Sequence, residues 1–366
     1  MLQFKICDGL FELENKNLDC ILQKKNVEDV YEINSKAQLG RGKYATVRRV
    51  VHKQNGTQYA AKVIKKRRRN KDQIKEIVHE IIVLLQCAST NRIIGLHEVY
   101  ESVTEIILIL ELAAGGDLQH LLDSGQCLAE AEARKAMIQI LEGVLYLHTR
   151  NIAHLDLKPQ NVLLSEQESY EELKLCDFGT SRVIQPKVAL REIVGTVDYV
   201  SPEVLSYEPI SLATDIWSIG VLAYVILSGL SPFGADDKQQ TFLNISKCAL
   251  TFDSDSFYNV SSAAIDFIRS TLTIDPIKRP QLHELLDHPW ISLKVSPLTV
   301  LPLQAISLKA TKAHQRKSFC CLYESEGFQE KSKNNTLSIS NYRCPLCSDL
   351  SQSTVFQSNV DKRILC

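Results

Sequence analysis

No stretch of this chain is both apolar enough and long enough to cross a bilayer. The longest, residues 216–230, falls short of the ~20 residues that a spanning helix needs and reads as a buried helix. No apolar segment of the secretory kind opens the chain, because Asp8, Glu12 and Glu14 interrupt residues 1–17. An excess of one charge is missing too. The 42 Lys and Arg against 43 Asp and Glu leave a formal net charge of −1, so no overall field points to nucleic acid or membrane as a partner. No internal repeat is visible. These absences leave an intracellular protein, in the cytoplasm, the nucleus or both, whose eleven cysteines stay mostly reduced.

What remains is ordinary in amount. The 366 residues are 45% apolar and 23% charged, enough for one large two-lobed domain with tails or two small domains. Residues 1–30 are mixed and weakly patterned and read as an N-terminal extension. From Tyr31 the pattern sharpens, with β-rich runs at 45–51, 58–64, 96–101 and 105–110, punctuated by Gly40, Gly42 and Gly56. One helical segment interrupts them at 73–86, with Ile74, Ile77, Val78, Ile81, Ile82 and Leu85 on one face. After Leu110 the chain turns helical, at 128–149, 214–228 and 261–272. The spacing thus predicts a domain over 31–291, and a largely disordered tail over 292–366, rich in Ser, Lys and Asn.

Within that domain, Gly40 and Gly42 in Leu39-Gly40-Arg41-Gly42-Lys43-Tyr44-Ala45-Thr46-Val47 would let a strand–turn–strand approach phosphates closely. A third glycine is lacking, with Ala45 in its place, and alone the segment reads equally as an ordinary hairpin turn. Lys62, in Tyr59-Ala60-Ala61-Lys62, sits in an apolar strand. There an ammonium is costly unless it meets an anion, which Glu80 or a nucleotide phosphate would supply; the alternative is a strand-end lysine reaching to water. The most specific segment is His154-Leu155-Asp156-Leu157-Lys158-Pro159-Gln160-Asn161, followed by Cys176-Asp177-Phe178-Gly179. Phosphoryl transfer requires a carboxylate to orient the attacking hydroxyl, which Asp156 fits, and hard oxygen ligands for Mg²⁺, which Asn161 and Asp177 offer. Lys158 can reach the γ-phosphate. The order and spacing of these residues, behind a glycine loop and a strand lysine, set aside the reading of solvated loop charges.

Over residues 31–290 the set resembles the protein kinases. Ser201-Pro202-Glu203 is similar to the family's Ala-Pro-Glu, Asp215-Ile216-Trp217 to the helix that anchors the catalytic loop, and Arg279 to the arginine paired with that glutamate. Lys158 within Asp-Leu-Lys-Pro-Gln-Asn is the serine/threonine form. Lys65-Lys66-Arg67-Arg68-Arg69, the run from Leu96 to Glu101, Ile106 to Gly116, and Leu155 after His154 resemble the death-associated protein kinases, in particular the short DAP-kinase-related apoptosis-inducing branch. The resemblance implies the bilobal α+β kinase fold, with a small sheet lobe carrying one helix and a larger, mostly helical lobe. It also implies a non-specific serine/threonine kinase using ATP and Mg²⁺, acting on Ser or Thr of protein substrates in apoptosis or stress signalling. It makes Leu110 the gatekeeper, Glu111 and Ala113 the backbone partners of adenine, and Asp117 a neighbour of the ribose. Further nucleotide contacts fall to Leu39, Arg41, Lys43, Tyr44, Ala45, Val47, Ala60 and Leu163. Two rivals stand beside this reading. A pseudokinase scaffold is opposed by the presence of Lys62, Glu80, Asp156, Asn161 and Asp177. A small-molecule kinase is opposed by Lys158, Ser201-Pro202-Glu203 and the Asp215 helix.

A further absence lies in the segment 182–195, which contains no Ser, Thr or Tyr. The position before Asp156, where many kinases hold a phosphate-reading arginine, is Leu155. Thr180 and Ser181 follow the metal-binding aspartate too closely for a switch, and the resemblance makes Thr196 a structural contact to Asp156 and Lys158. Order without phosphate is therefore expected, by packing of Val183, Ile184, Val188, Leu190 and Ile193 on the helical lobe. Residues 65–69 read as an import signal, a docking patch or a solvated loop. Cys344-Pro345-Leu346-Cys347 is half of a zinc ribbon without its other half, so two unlinked thiols are expected. Larger members of the resembled family carry a calmodulin-binding helix after the kinase domain. Here 303–317 is basic, with Ile306 and Leu308 among few apolar positions, and Pro297 and Pro302 break any helix leading into it, so calmodulin is not expected as a partner. Nothing in the sequence sets the oligomeric state.

Overall fold

A computed structural model describes residues 3–14, 21–42, 45–69, 71–123, 127–166 and 169–292. Lys43, Tyr44, the tail thiols and segment 303–317 lie outside them, as does all but the first residue of the expected tail.

The chain begins with a hairpin, β1 (Phe4–Cys7) and β2 (Leu10–Leu13), paired from Phe4↔Leu13 to Cys7↔Leu10. Its two-residue turn is Asp8-Gly9, with φ of 51° and 74°. Two positive φ values match the twist of antiparallel strands, and Asp-Gly tolerates them. A short helix, α1 (Val27–Val30), capped by the Asn26 side chain, leads into β3 (Tyr31–Arg41). Strands β4 (Ala45–His52) and β5 (Gln58–Lys65), the small pair β6 (Arg67–Arg68) and β7 (Lys71–Asp72), helix α2 (Ile74–Gln86), and strands β8 (Leu96–Glu101) and β9 (Glu105–Glu111) complete the small lobe. The main sheet is antiparallel in the order β3-β4-β5-β9-β8. Its register places Val47, Lys62 and Leu108 in one cross-strand row and Arg49, Ala60 and Leu110 in the next, all on one face because side chains alternate. The opposite face buries Tyr31, Val50, Ala61, Tyr100, Ile107 and Ile109 as a separate small core.

The larger lobe contains β10 (Gly116–Asp117), α3 (Leu118–Asp123), α4 (Glu130–His148), β11 (Ile152–Ala153), β12 (Val162–Leu164), β13 (Leu173–Leu175), β14 (Arg182–Val183), α5 (Pro202–Leu205), α6 (Ala213–Ser228), α7 (Lys238–Ser246), α8 (Ser262–Thr271), α9 (Leu282–Leu286) and α10 (Pro289–Ser292). Two short antiparallel sheets, β10-β12-β13 and β11-β14, lie beside these helices. Helix α6 is buried from Thr214 to Leu227, as expected of the run whose length excluded a membrane span, and it ends at Gly229 with φ 72°. Among the described residues no helix is long and apolar enough to cross a membrane. At Gly220 a Cβ would stand 2.2 Å from Thr271 Oγ1 and 2.9 Å from Leu272, so glycine is what lets α6 and α8 approach. This is the bilobal α+β architecture that the resemblance implies. The described cysteines Cys7, Cys87, Cys127, Cys176 and Cys248 are all free.

Beneath the helical lobe one ion pair is sealed from water. Arg279 donates through both terminal nitrogens to Glu203, at 2.8 and 2.7 Å, with side chains 0% and 2% exposed. Its remaining hydrogens go to the carbonyls of Ala213, Thr273 and Ile274. Removing one partner leaves the other charge buried and unpaired. Arg279→Ala should therefore cost about 3–5 kcal/mol of stability, read as a lowered thermal unfolding midpoint; an unchanged midpoint would mean that the pair is not structural.

Candidate active site

Strand alternation aims Lys62 at α2, and helical spacing aims Glu80 back at the sheet. Lys62 Nζ lies 2.5 Å from Glu80 Oε1 and 2.7 Å from Asp177 Oδ1. Burial works against the ammonium, but the Asp177 and Glu80 carboxylates outweigh it and hold Lys62 above its ordinary range. In return the Lys62 charge holds Asp177 down at about 2. Two of the three ammonium hydrogens are used, which leaves one for a phosphate oxygen. The Asp177 side chain is half exposed, and its backbone is left-handed, with φ 64°.

Asp156 lies at the centre of a second constellation. Thr196 Oγ1 donates to Asp156 Oδ1 at 2.7 Å, and Lys158 Nζ lies 2.9 Å from Asp156 Oδ2 and 2.8 Å from Thr196 Oγ1. Asn161 Nδ2 donates to the Asp156 carbonyl at 2.8 Å and to Oδ2 at 3.2 Å. The contacts expected of Thr196 are thus present. The loop is fixed from below by Asp215 in α6, whose carboxylate accepts from the backbone N–H of His154 and Leu155 at 2.8 and 2.9 Å and meets His148 Nε2 at 2.8 Å. Leu155 is left-handed, with φ 66°, and buried.

The donor set suits Mg²⁺. Asn161 spends its amide hydrogens on Asp156, which leaves its oxygen as a hard donor, and the ionised Asp177 carboxylate is a second. Two protein oxygens completed by phosphate and water are the usual Mg²⁺ arrangement.

Around these groups the predicted nucleotide contacts divide. Ala60 and Leu110 pair across β5 and β9 and are buried, and Val47, Ala45 and Leu163 are half-buried. Gly40 pairs with Val47 and Arg41 with Thr46, and the Gly42 N–H closes the turn on the Ala45 carbonyl at 2.9 Å. Leu39 is 46% exposed. Glu111 ends β9, and its carboxylate is engaged by the Gly95 N–H at 3.1 Å and by Lys174 at 3.0 Å; Ala113 follows in the connection between lobes. Asp117 has a structural duty as well, accepting the His120 N–H at 2.9 Å at the start of α3, while burial raises its carboxyl.

One expectation is corrected. Val183 is buried, and Ile184 and Leu190 are half-buried, but Val188 is 52% and Ile193 74% exposed. Packing therefore holds Val183, Ile184 and Leu190, as expected, but not Val188 or Ile193, and the loop is held as well by a pair that the motifs do not include. Arg182 donates to Glu192 through Nε at 3.0 Å and Nη2 at 2.7 Å, and through Nη1 to the Ser181 carbonyl at 2.8 Å. The pair is bidentate, two N–H···O bonds from one guanidinium to one carboxylate, the strong form of such contacts. The sequence signal was available, because the only acid in a loop without phosphate acceptors is Glu192. The hairpin β1–β2 was also missed, although Asp8-Gly9 between two short apolar alternations announces it.

Comparison with known proteins follows the same lines. The family described as Protein kinase domain matches residues 33–291. "Death-associated protein kinase related" of Drosophila melanogaster is 51% identical over 289 residues, covering 79% of this chain and 43% of that protein. "Serine/threonine-protein kinase 17A" of Oryctolagus cuniculus is 48% identical over 267 residues, covering 72% and 67%. "Death-associated protein kinase 2" of Mus musculus is 43% identical over 285 residues, covering 76% of each chain. Among solved structures, the twitchin kinase region from C. elegans aligns with a TM-score of 0.66 at 34% identity, over 74% of this chain and 47% of that one. The chain thus spans less than half the length of the Drosophila relative.

Proposed function

Since the chain belongs to the protein kinase family, and within it to the death-associated serine/threonine kinases, which use ATP and Mg²⁺, we propose that it moves the γ-phosphoryl group of ATP to Ser or Thr hydroxyls of other proteins. The observation that carries this is the Lys62 ammonium held between Glu80 and Asp177 with both lobes engaged. A scaffold without turnover has no need of that assembly.

Bound Mg²⁺ neutralises phosphate charge; Asp177 and Asn161 are the residues that would hold it. Lys62 steadies the phosphates from the sheet side. Asp156 accepts the hydrogen bond of the incoming hydroxyl and then its proton, while Lys158 balances the charge on the transferring group. The tie from Asp215 keeps the Asp156 backbone from drifting, and positioning of that kind supplies much of the rate.

In this proposal the catalytic domain is taken as residues 31–291, with 1–30 as an extension and 292–366 as a tail. The protein is likewise proposed to act inside the cell, in apoptotic or stress signalling. Radiolabelled γ-phosphate should appear on a generic basic protein and, after hydrolysis, on phosphoserine or phosphothreonine. Label on a small metabolite alone, or none with the purified chain and Mg²⁺, would overturn the reading. Calcium regulation is not part of the proposal, so calmodulin beads should not retain residues 291–366 in calcium. Retention released by a chelator would contradict that.

A further inference from the structure

The hairpin at the start of the chain has no place in the motifs that define the site, yet it touches three of the site's supports. Its strand β2 lies on α2, with Phe11 and Leu13 buried in the main core. The Phe11 ring stacks on His79 at 5.5 Å between centroids, and the Phe11 N–H donates to His79 Nδ1 at 2.9 Å. A backbone N–H can only donate, so His79 carries its proton on Nε2, which lies 3.0 Å from Ser181 Oγ. Ser181 Oγ in turn donates to the Phe178 carbonyl at 2.7 Å. Burial, with Arg182 nearby, pushes His79 down to about 3, so this fully covered ring stays neutral and the direction of the relay is fixed.

The neighbour of His79 in α2 is Glu80. Its carboxylate pairs with Lys62, which in turn holds Asp177, and its Oε2 lies against Gly179, where an added Cβ would stand 3.7 Å away. His79, through Ser181, and Glu80, through Lys62, therefore hold one segment, Asp177-Phe178-Gly179, from consecutive residues of α2. The turn of the hairpin adds a third hold. The Gly9 carbonyl accepts the Val183 N–H at 2.7 Å, directly after Arg182, whose ion pair with Glu192 orders the loop. Contact there is close: a Cβ on Gly9 would meet Leu190 Cδ2 at 2.7 Å and Arg182 Cδ at 3.2 Å, and Gly9 has φ 74°.

We infer that the hairpin Phe4–Leu13 is a positioning element for phosphoryl transfer, acting through His79 and Gly9 to hold α2 and the segment after Asp177 in the arrangement that catalysis requires. It supplies from within the chain the restraint that loop phosphorylation supplies elsewhere. Phe11, His79 and Gly9 are positioning residues, because none is placed against the reacting groups. The inference rests on the kinase reading of the same site.

The test compares the full chain, the chain lacking residues 3–14, and Gly9→Val, which adds a branched Cβ where there is neither room nor a suitable φ. Rates are measured against ATP concentration, and amide hydrogen exchange is followed over residues 77–84. Both variants should lose about tenfold in kcat, within the span reported for coupling residues remote from a ligand, with a raised KM for ATP and faster exchange in α2. A synthetic peptide of residues 3–14, added to the truncated protein, should restore the rate, which a general loss of stability would not allow. If the truncated chain does not fold, Gly9→Val decides. Values of kcat, KM and exchange within twofold of the full chain in a folded variant overturn the inference. An inactive full chain overturns the kinase reading instead.

Discussion

Asp177→Ala should abolish phosphoryl transfer and leave the fold intact. The carboxylate is half exposed and contributes to no core, so its removal opens no cavity. Lys62 keeps Glu80 as a partner and is not stranded. The backbone cost is small: alanine at the left-handed φ of 64° loses roughly 1–2 kcal/mol relative to a relaxed conformation. What disappears is a metal-facing carboxylate that stays ionised through the working range, because Lys62 holds it at about 2. For the same reason Asp177 does not produce the acid limb of the pH–rate profile above about pH 4. Without it the metal has Asn161 alone, and a neutral amide binds a hard divalent cation weakly. The measurement is kcat in saturating Mg²⁺ alongside thermal melting. Near wild-type turnover would show that the metal assignment is wrong.

Asp156→Asn should lower kcat by roughly 10²–10⁴, the range for a positioned acid–base group, with KM for ATP little changed. The two carboxylate oxygens have different duties, Oδ1 accepting from Thr196 and Oδ2 facing Lys158 and Asn161. An asparagine of the same shape keeps one acceptor and turns a donor toward either Thr196 or Lys158. It can neither take the hydroxyl proton nor balance Lys158. The loop backbone should not move, because His154 and Leu155 remain tied to Asp215. A variant with unchanged kcat would remove Asp156 from the chemistry.

The catalytic half of the site was legible in the sequence because its residues lie in short contiguous segments. His154 to Asn161 and Asp177 to Gly179 carry their chemistry at fixed offsets, and Lys62 stands out as a charge in an apolar strand. Helix α2 was legible from spacing alone, with observed bounds one residue inside the expected start. The supports were less so. The Phe11–His79 bond joins residues 68 apart, and neither residue type announces a partner at that distance. The loop was expected to be ordered by apolar packing, since Val188 and Ile193 are apolar. Those two are exposed, while Val183, Ile184 and Leu190 do pack, and a bidentate ion pair between Arg182 and Glu192 adds to the hold; Glu192 stood out as the loop's one acid, but its partner did not. Asp117 was read toward the ribose and also caps α3, a duty that short acids at helix starts often carry.

The central claim is that this site is complete without phosphate on residues 182–195. The most direct measurement takes the full chain expressed in bacteria, treats it with phosphatase, confirms the unmodified mass, and records initial rates before autophosphorylation accumulates. Linear product formation from the first time point, at the rate of the untreated protein, is the predicted result. A lag, or activity that appears only after phosphate has been added to the chain, would contradict it.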